Sequence, residues 1–186
     1  IWNMGKKVTI DSANLMNKGF EVIEAHWLFG VPFDKIKVIL HPASIVHSMI
    51  EFTDGSIKAQ LGVPDMRIPI QYALSHPERW GNPNLPKLDF SRIDSLKFAP
   101  VDMVRYPCLR LAFEAGKAGG TYPAVLSAAD EVAVERFLEG NLGFLDIPGM
   151  LDHVLGRHRG VADPSLDDIL AADAWGRETA KGWSPQ

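Results

Sequence analysis

Leu15, Met16, Phe20, Ile23, Trp27 and Leu28 recur at intervals of three and four, the spacing of one apolar helix face. The pattern predicts a helix from Ala13 that stops at Gly30 and Pro32, since glycine and proline end helices. Ahead of it, Val8-Thr9-Ile10 is a short β-prone run, and Asp11 and Ser12 are good helix caps. The period then changes to two. Residues 37–40 read as a short strand and residues 44–52 as a longer one, with Ile45, His47, Met49 and Glu51 alternating against Val46, Ser48, Ile50 and Phe52. Asp54-Gly55 is a hairpin signal, and residues 56–61 return as the partner strand. Gly62-Val63-Pro64 breaks the sheet, and Asp65 caps a helix containing Ile68, Tyr72 and Leu74.

Between His76 and Pro107 five prolines punctuate a stretch with little helical period, as in an extended, proline-stiffened linker. Beyond it the helical period resumes over 108–115, 123–138, 147–155 and 165–181. Val125, Leu126, Ala129, Val132, Ala133 and Phe137 make one stripe, and Ser165 with Asp168 suggests a capping box. The reading is an α+β chain in three parts. Residues 1–75 combine helices with a mostly antiparallel sheet, residues 76–106 link, and residues 107–186 form a four-helix bundle.

Composition narrows the class. The 186 residues are 46% apolar and 23% charged, with a net charge of −4, ordinary for a globular protein and unlike the basic face of a nucleic-acid binder. Residues 1–75 balance seven acids with seven bases, whereas residues 102–186 carry thirteen acids and eight bases. The balanced part nevertheless gathers Lys6, Lys7 and Lys18, which suits an anionic small molecule. The single cysteine, Cys108, lies among apolar residues, excludes an internal disulfide and reads as a core residue. No run of apolar residues is long enough to span a bilayer. The chain opens on Ile1 with neither an initiator methionine nor a signal-peptide pattern, so it is expected to start inside a domain.

The candidate chemistry concentrates at the first helix. Asn17 and Glu21 are four apart and Lys18 and Glu21 three apart, so they share a face. A strand-to-helix junction with Ser12 at the cap and Asn17 and Lys18 one turn in could hold a phosphate on free N–H groups, hydroxyl, amide and ammonium. Glu21 is a hard oxygen ligand for Mg²⁺ or Mn²⁺. The plain alternative is that Lys18 and Glu21 are a solvated surface pair. His41 and His47 read either as hydrogen-bonded histidines at a sheet edge or as neighbours of a site; no zinc spacing accompanies them.

The stretch from Trp2 to Glu21, WNMGKKVTIDSANLMNKGFE, resembles the segment of the 1-deoxy-D-xylulose 5-phosphate reductoisomerase family that runs from an active-site flap into the substrate-binding helix. Trp2, Met4, Gly5, Lys7, Asp11, Ser12, Ala13, Met16, Asn17, Lys18, Gly19 and Glu21 are in register with the family pattern. Ile1 and Asn14 depart from it, where the family usually has Asn and Thr. The resemblance continues through HPASIVHSM at His41 to Met49, through GVPDMR around Met66, and through SAADEVAVERFL, where Ser127 and Asp130 stand in place of the usual Asn.

The resemblance implies an enzyme that rearranges 1-deoxy-D-xylulose 5-phosphate and reduces the product with NADPH to 2-C-methyl-D-erythritol 4-phosphate, in the non-mevalonate route to isoprenoids. It implies Glu21 as one of three acidic ligands of Mn²⁺, Mg²⁺ or Co²⁺, with Lys18 beside it in the catalytic centre. Ser12, Asn17 and Lys18 would hold substrate phosphate and hydroxyls, and Trp2 would cover the substrate. Ser44 and His47 would support the substrate site, and Met4, Gly5 and Met66 would meet the nicotinamide. The other two metal ligands and the dinucleotide fold have no match here and are expected upstream, so residues 1–75 would complete a catalytic α/β domain begun elsewhere. A cytoplasmic homodimer is the family expectation, or a plastid one in a plant or apicomplexan, with no nucleic acid or membrane partner. A rival from another class is a non-catalytic dimerising scaffold with a phosphate-binding helix start.

Overall fold

The computed structural model describes residues 5–185, and it is α+β, as the periodicities indicate. The described helices are α1 (Lys6–Ala13), α2 (Met16–Phe29), α3 (Arg67–Ser75), α4 (Pro107–Ala118), α5 (Tyr122–Leu138), α6 (Ile147–Arg157) and α7 (Leu166–Lys181). The strands are β1 (Ile39–Leu40), β2 (Val46–Glu51), β3 (Ile57–Leu61) and β4 (Ala99–Pro100). They form two two-stranded antiparallel sheets, β1 with β4 and β2 with β3.

The compact units do not follow the expected boundaries at 75 and 106. Residues 39–101 form one unit, and residues 5–38 group with 102–185 in the other. Apolar packing is the reason. Met16 and Ile23 of α2 are buried in the same core as Leu111, Val125, Leu126, Met150 and Leu151. A Cβ placed on Gly19 would lie 2.4 Å from the Ala112 Cβ, so α2 approaches α4 as closely as only glycine allows. Helix α5 is the central member, with Val125, Leu126, Ala128, Ala129, Asp130, Val132, Ala133 and Val134 all buried. A helix buried around most of its circumference is apolar around most of it too. Cys108 is fully buried here, and burial pushes its thiol up to about 12. The expected Ser165–Asp168 capping box closes the start of α7.

In the other unit the Asp54-Gly55 turn joins β2 to β3 as expected, with Gly55 at φ 83°. The alternation assigned to residues 44–52 is interrupted by a register shift between Val46 and Ser48, which leaves His47 as a bulge. The stretch read as a linker instead returns into this unit: β4 pairs with β1, the His41 ring nitrogen Nδ1 lies 2.8 Å from the Lys97 carbonyl, and the imidazole stacks on Phe98 at 4.6 Å.

Candidate functional site

The expected strand-to-helix junction is absent. Val8, Thr9 and Ile10 lie within α1, and the chain passes from helix to helix through Asn14 and Leu15. Two forces outweigh the β preference of those three residues. Ile10 packs against the buried core, and Lys7 and Asp11, one turn apart, form an ion pair at 2.5 Å. The Asp11 carboxylate therefore serves Lys7 and caps nothing. The cap of α2 comes from Asn14, whose Oδ1 accepts the Met16 N–H at 2.8 Å. Leu15 takes the left-handed conformation at φ 64°, which costs a leucine about 1–2 kcal/mol. The kink that aims α2 is thus held against local strain.

On the first turns of α2 the predicted face assembles. Asn17 Nδ2 donates to Glu21 Oε1 at 2.9 Å, and Lys18 Nζ donates to Glu21 Oε2. The Lys18 and Glu21 side chains are 42% and 44% exposed, so this trio is open to solvent and to ligands. Ser12 stands on the last turn of α1, half-buried, just before the kink. Gly5 is exposed at the start of α1, and its carbonyl accepts from Thr9. Trp2 and Met4 lie outside the described residues.

Ser44, His47 and Met66 belong to the strand-bearing unit. Ser44 is left-handed at φ 50° in the turn that follows His41. The exposed His47 ring lies beside Gly62: its Nε2 is 3.4 Å from where a Cβ on that residue would sit. Met66 is exposed.

A divalent ion asks for several oxygen ligands. Among the described residues no three His, Cys, Asp or Glu side chains come together in a way that could hold a metal ion. Glu21 offers one suitable carboxylate, whose two oxygens accept from Asn17 and Lys18, and these residues alone do not complete a cation site.

Sequence reasoning missed the strongest electrostatic feature. Lys7 Nζ also reaches Asp130 Oδ2 of α5, at 2.6 Å. Asp11 and Asp130 are 1% and 0% exposed, and one oxygen of each, Oδ1, lacks a hydrogen-bond partner in the structure. Burial, reinforced by the neighbouring Asp11, pushes Asp130 up to about 7. Burial also raises Asp11 against the pull of Lys7. Burial by itself would lower Lys7, but the two carboxyls outweigh it and raise it. Lys7 is therefore engaged within the fold, contrary to its grouping with Lys6 and Lys18 as a cation for an anionic ligand. The available signal was Asp130 itself, an acid between Ala129 and Val132 on an apolar helix.

Comparison with known proteins gives the family. A family model described as the DXP reductoisomerase C-terminal domain matches residues 61–179, and one described as the 1-deoxy-D-xylulose 5-phosphate reductoisomerase C-terminal domain matches residues 1–29. The 1-deoxy-D-xylulose 5-phosphate reductoisomerase of Desulforamulus reducens is 57% identical over 179 residues, covering 96% of this chain and 46% of that protein. The corresponding protein of Acetivibrio thermocellus is 58% identical over 177 residues, covering 95% and 46%. The chain thus spans about half the length of the curated relatives it matches. Among solved structures, the reductoisomerase from Zymomonas mobilis in complex with NADPH is similar with TM-score 0.88 and 45% identity, over 94% of this chain and 46% of that one. A DOX-P reductoisomerase in complex with NADPH, fosmidomycin and magnesium is similar with TM-score 0.87 and 39% identity, over 97% of this chain and 46% of that one.

Proposed function

The chain belongs to the 1-deoxy-D-xylulose 5-phosphate reductoisomerase family, and from that premise we propose that it is the substrate-holding and helical portion of an NADPH- and divalent-metal-dependent enzyme. That enzyme converts 1-deoxy-D-xylulose 5-phosphate to 2-C-methyl-D-erythritol 4-phosphate in the non-mevalonate isoprenoid route. The observation that carries the reading is the solvent-open trio on α2, in which Asn17 and Lys18 both donate to Glu21.

In this reading each residue has a separate task. Lys18 and Asn17 turn their donors from Glu21 to oxygens of the substrate, phosphate included, and Ser12 adds a hydroxyl from the end of α1. A charge-assisted bond of this kind is worth roughly 1.5–3 kcal/mol. Anchoring a remote phosphate lets binding energy orient the reacting end. Glu21, released from its two donors, contributes one carboxylate to a cation site whose other ligands come from the N-terminal half. The cofactors, when bound, supply Lewis acidity and a hydride. By resemblance to the family, Gly5, Met4 and Met66 would meet the nicotinamide, Ser44 and His47 would support the substrate, and Trp2 would cover it and exclude water.

The exposed apolar residues Met49, Ile50, Phe52 and Ile57 of the β2–β3 hairpin support pairing with a second copy of the chain, and the reading is a cytoplasmic homodimer. Among the described residues no helix is long and apolar enough to cross a membrane.

The test is reconstitution. The 186-residue chain alone should oxidise no NADPH with substrate and Mn²⁺, and joining it to the N-terminal half should yield metal-dependent turnover. Phosphate binding without turnover in the joined protein would favour the non-catalytic scaffold. Turnover by the purified chain alone would show that the division of the site is wrong.

A further inference from the structure

Two buried carboxyls on one ammonium cannot both be ionised at low cost. The cluster would then carry a net negative charge away from water, and buried charge is tolerated when it is paired or neutralised. The geometry around Lys7 poses that problem directly. Lys7 of α1 contacts Asp11 at 2.5 Å and Asp130 at 2.6 Å. The carboxyls are almost wholly buried and each has an Oδ1 without a partner. Both carboxyls thus converge on the same ammonium. A hydrogen bond between two carboxyls needs one proton, which would partner the orphaned oxygens.

We propose that Asp11 and Asp130 share a single proton beside Lys7, and that this clasp is the positioning device that fixes the last turn of α1, and with it Ser12, against α5. Lys7 and Asp130 lie 123 positions apart in sequence, and the clasp joins the polar start of the chain to the central helix. The second half of the proposal rests on the reading of Ser12 as a substrate contact; the shared proton does not.

The surroundings favour one proton and give it a way out. Lys7 is the cation that faces the pair, and its ammonium also lies 4.9 Å from the centre of the Phe20 ring of α2. Glu131, next along α5, adds negative charge and holds Asp11 up. Arg177 of α7 is committed to Glu131 at 2.7 Å and to Asp173 at 2.8 Å. Cys108 of α4 is fully buried, and its thiol stays neutral. The Lys7 side chain is 38% exposed, beside a groove lined by Lys6, Glu131, Glu135 and Arg177 among others. Proton exchange with solvent therefore needs no unfolding.

The test uses the full-length enzyme and reads the carboxyl directly. Infrared spectra of wild type in D₂O should show a protonated carboxylic-acid band on the acid side of neutrality that fades as pH rises. Asp130→Asn and Asp11→Asn should each remove it. An amide at position 130 can donate to Asp11 and accept from Lys7 at every pH. The KM for the phosphorylated substrate should therefore climb with pH more steeply in wild type than in Asp130→Asn, with kcat little changed. The titration of the substrate's own phosphate is common to both proteins. Absence of the band in folded wild type, or a band that both variants retain, overturns the shared proton. A band that titrates while the two KM profiles stay parallel overturns the positioning role. Loss of all turnover in wild type would strike the enzyme reading and leave the band as it is.

Discussion

Two lysine–carboxylate clusters sit on consecutive helices of the same unit, and water separates their fates. On α2, Lys18 and Asn17 meet Glu21 with both charged side chains more than 40% exposed. On α1, Lys7 meets Asp11 and Asp130, whose carboxyls solvent hardly reaches. In the open cluster the attraction is screened and is worth about 0.2–1 kcal/mol to stability, so little holds the groups to one another. In the dry cluster the same attraction is stronger and the groups cannot be solvated one at a time, so it holds helices together and controls a proton. Contact distance alone does not separate a binding site from a structural joint; access to water does.

That comparison can be broken in several places. The largest effect is expected at Glu21. In the full-length enzyme Glu21→Gln should lower metal-dependent kcat roughly 100- to 1,000-fold, or about 3–4 kcal/mol, with the melting temperature nearly unchanged. Steady-state kinetics and a thermal melt decide it, and an unchanged kcat reduces Glu21 to a surface acid.

Next in size is the reverse pattern. Lys7→Met leaves two buried carboxyls without their cation. It should cost about 3 kcal/mol in denaturant unfolding, the low end for breaking a buried pair because Lys7 is partly exposed. A midpoint equal to that of wild type would show the joint to be energetically idle.

Lys18→Ala sharpens the open side. Loss of one charge-assisted bond should weaken the phosphorylated substrate by roughly 1.5–3 kcal/mol while leaving NADPH affinity as it was. Equal losses for both ligands in calorimetry would indicate general damage.

The remaining effect is a slope, the smallest per pH unit. Asp130 is raised in the folded chain, to about 7, so folding takes up a proton between the unfolded carboxyl range and neutrality. Its stabilisation is complete at acid pH and is lost as pH rises toward that value, by at most about 1.4 kcal/mol per pH unit. Urea midpoints of wild type measured against Asp130→Asn should diverge in that direction, and parallel profiles would contradict it.

The residues that were legible are those whose partners are near in sequence. The stripe from Met16 to Ile23, the Asp54-Gly55 turn and the Asn17–Lys18–Glu21 face all follow from spacings of a few residues. Val8-Thr9-Ile10 was misread as a strand because what makes it helical includes the packing of Ile10 on a core built from residues far along the chain. The short strand over residues 37–40 is legible, but its partner β4 is not, because it lies in a stretch that reads as linker. The bulge at His47 leaves no mark on the alternation of residue types. Strain at Leu15 was equally invisible, since leucine gives no hint of a left-handed turn.

The most direct test of the contrast is Mn²⁺ affinity in the full-length enzyme with substrate phosphate present, followed by electron paramagnetic resonance in wild type, Glu21→Gln and Asp130→Asn. Glu21→Gln should weaken Mn²⁺ at least roughly tenfold, because loss of a ligand costs no less than loss of a residue that merely orients one. Asp130→Asn should bind Mn²⁺ as wild type does. Equal weakening in both variants, or weakening in Asp130→Asn alone, would contradict the assignment of the open cluster to ligand binding and the buried one to the fold.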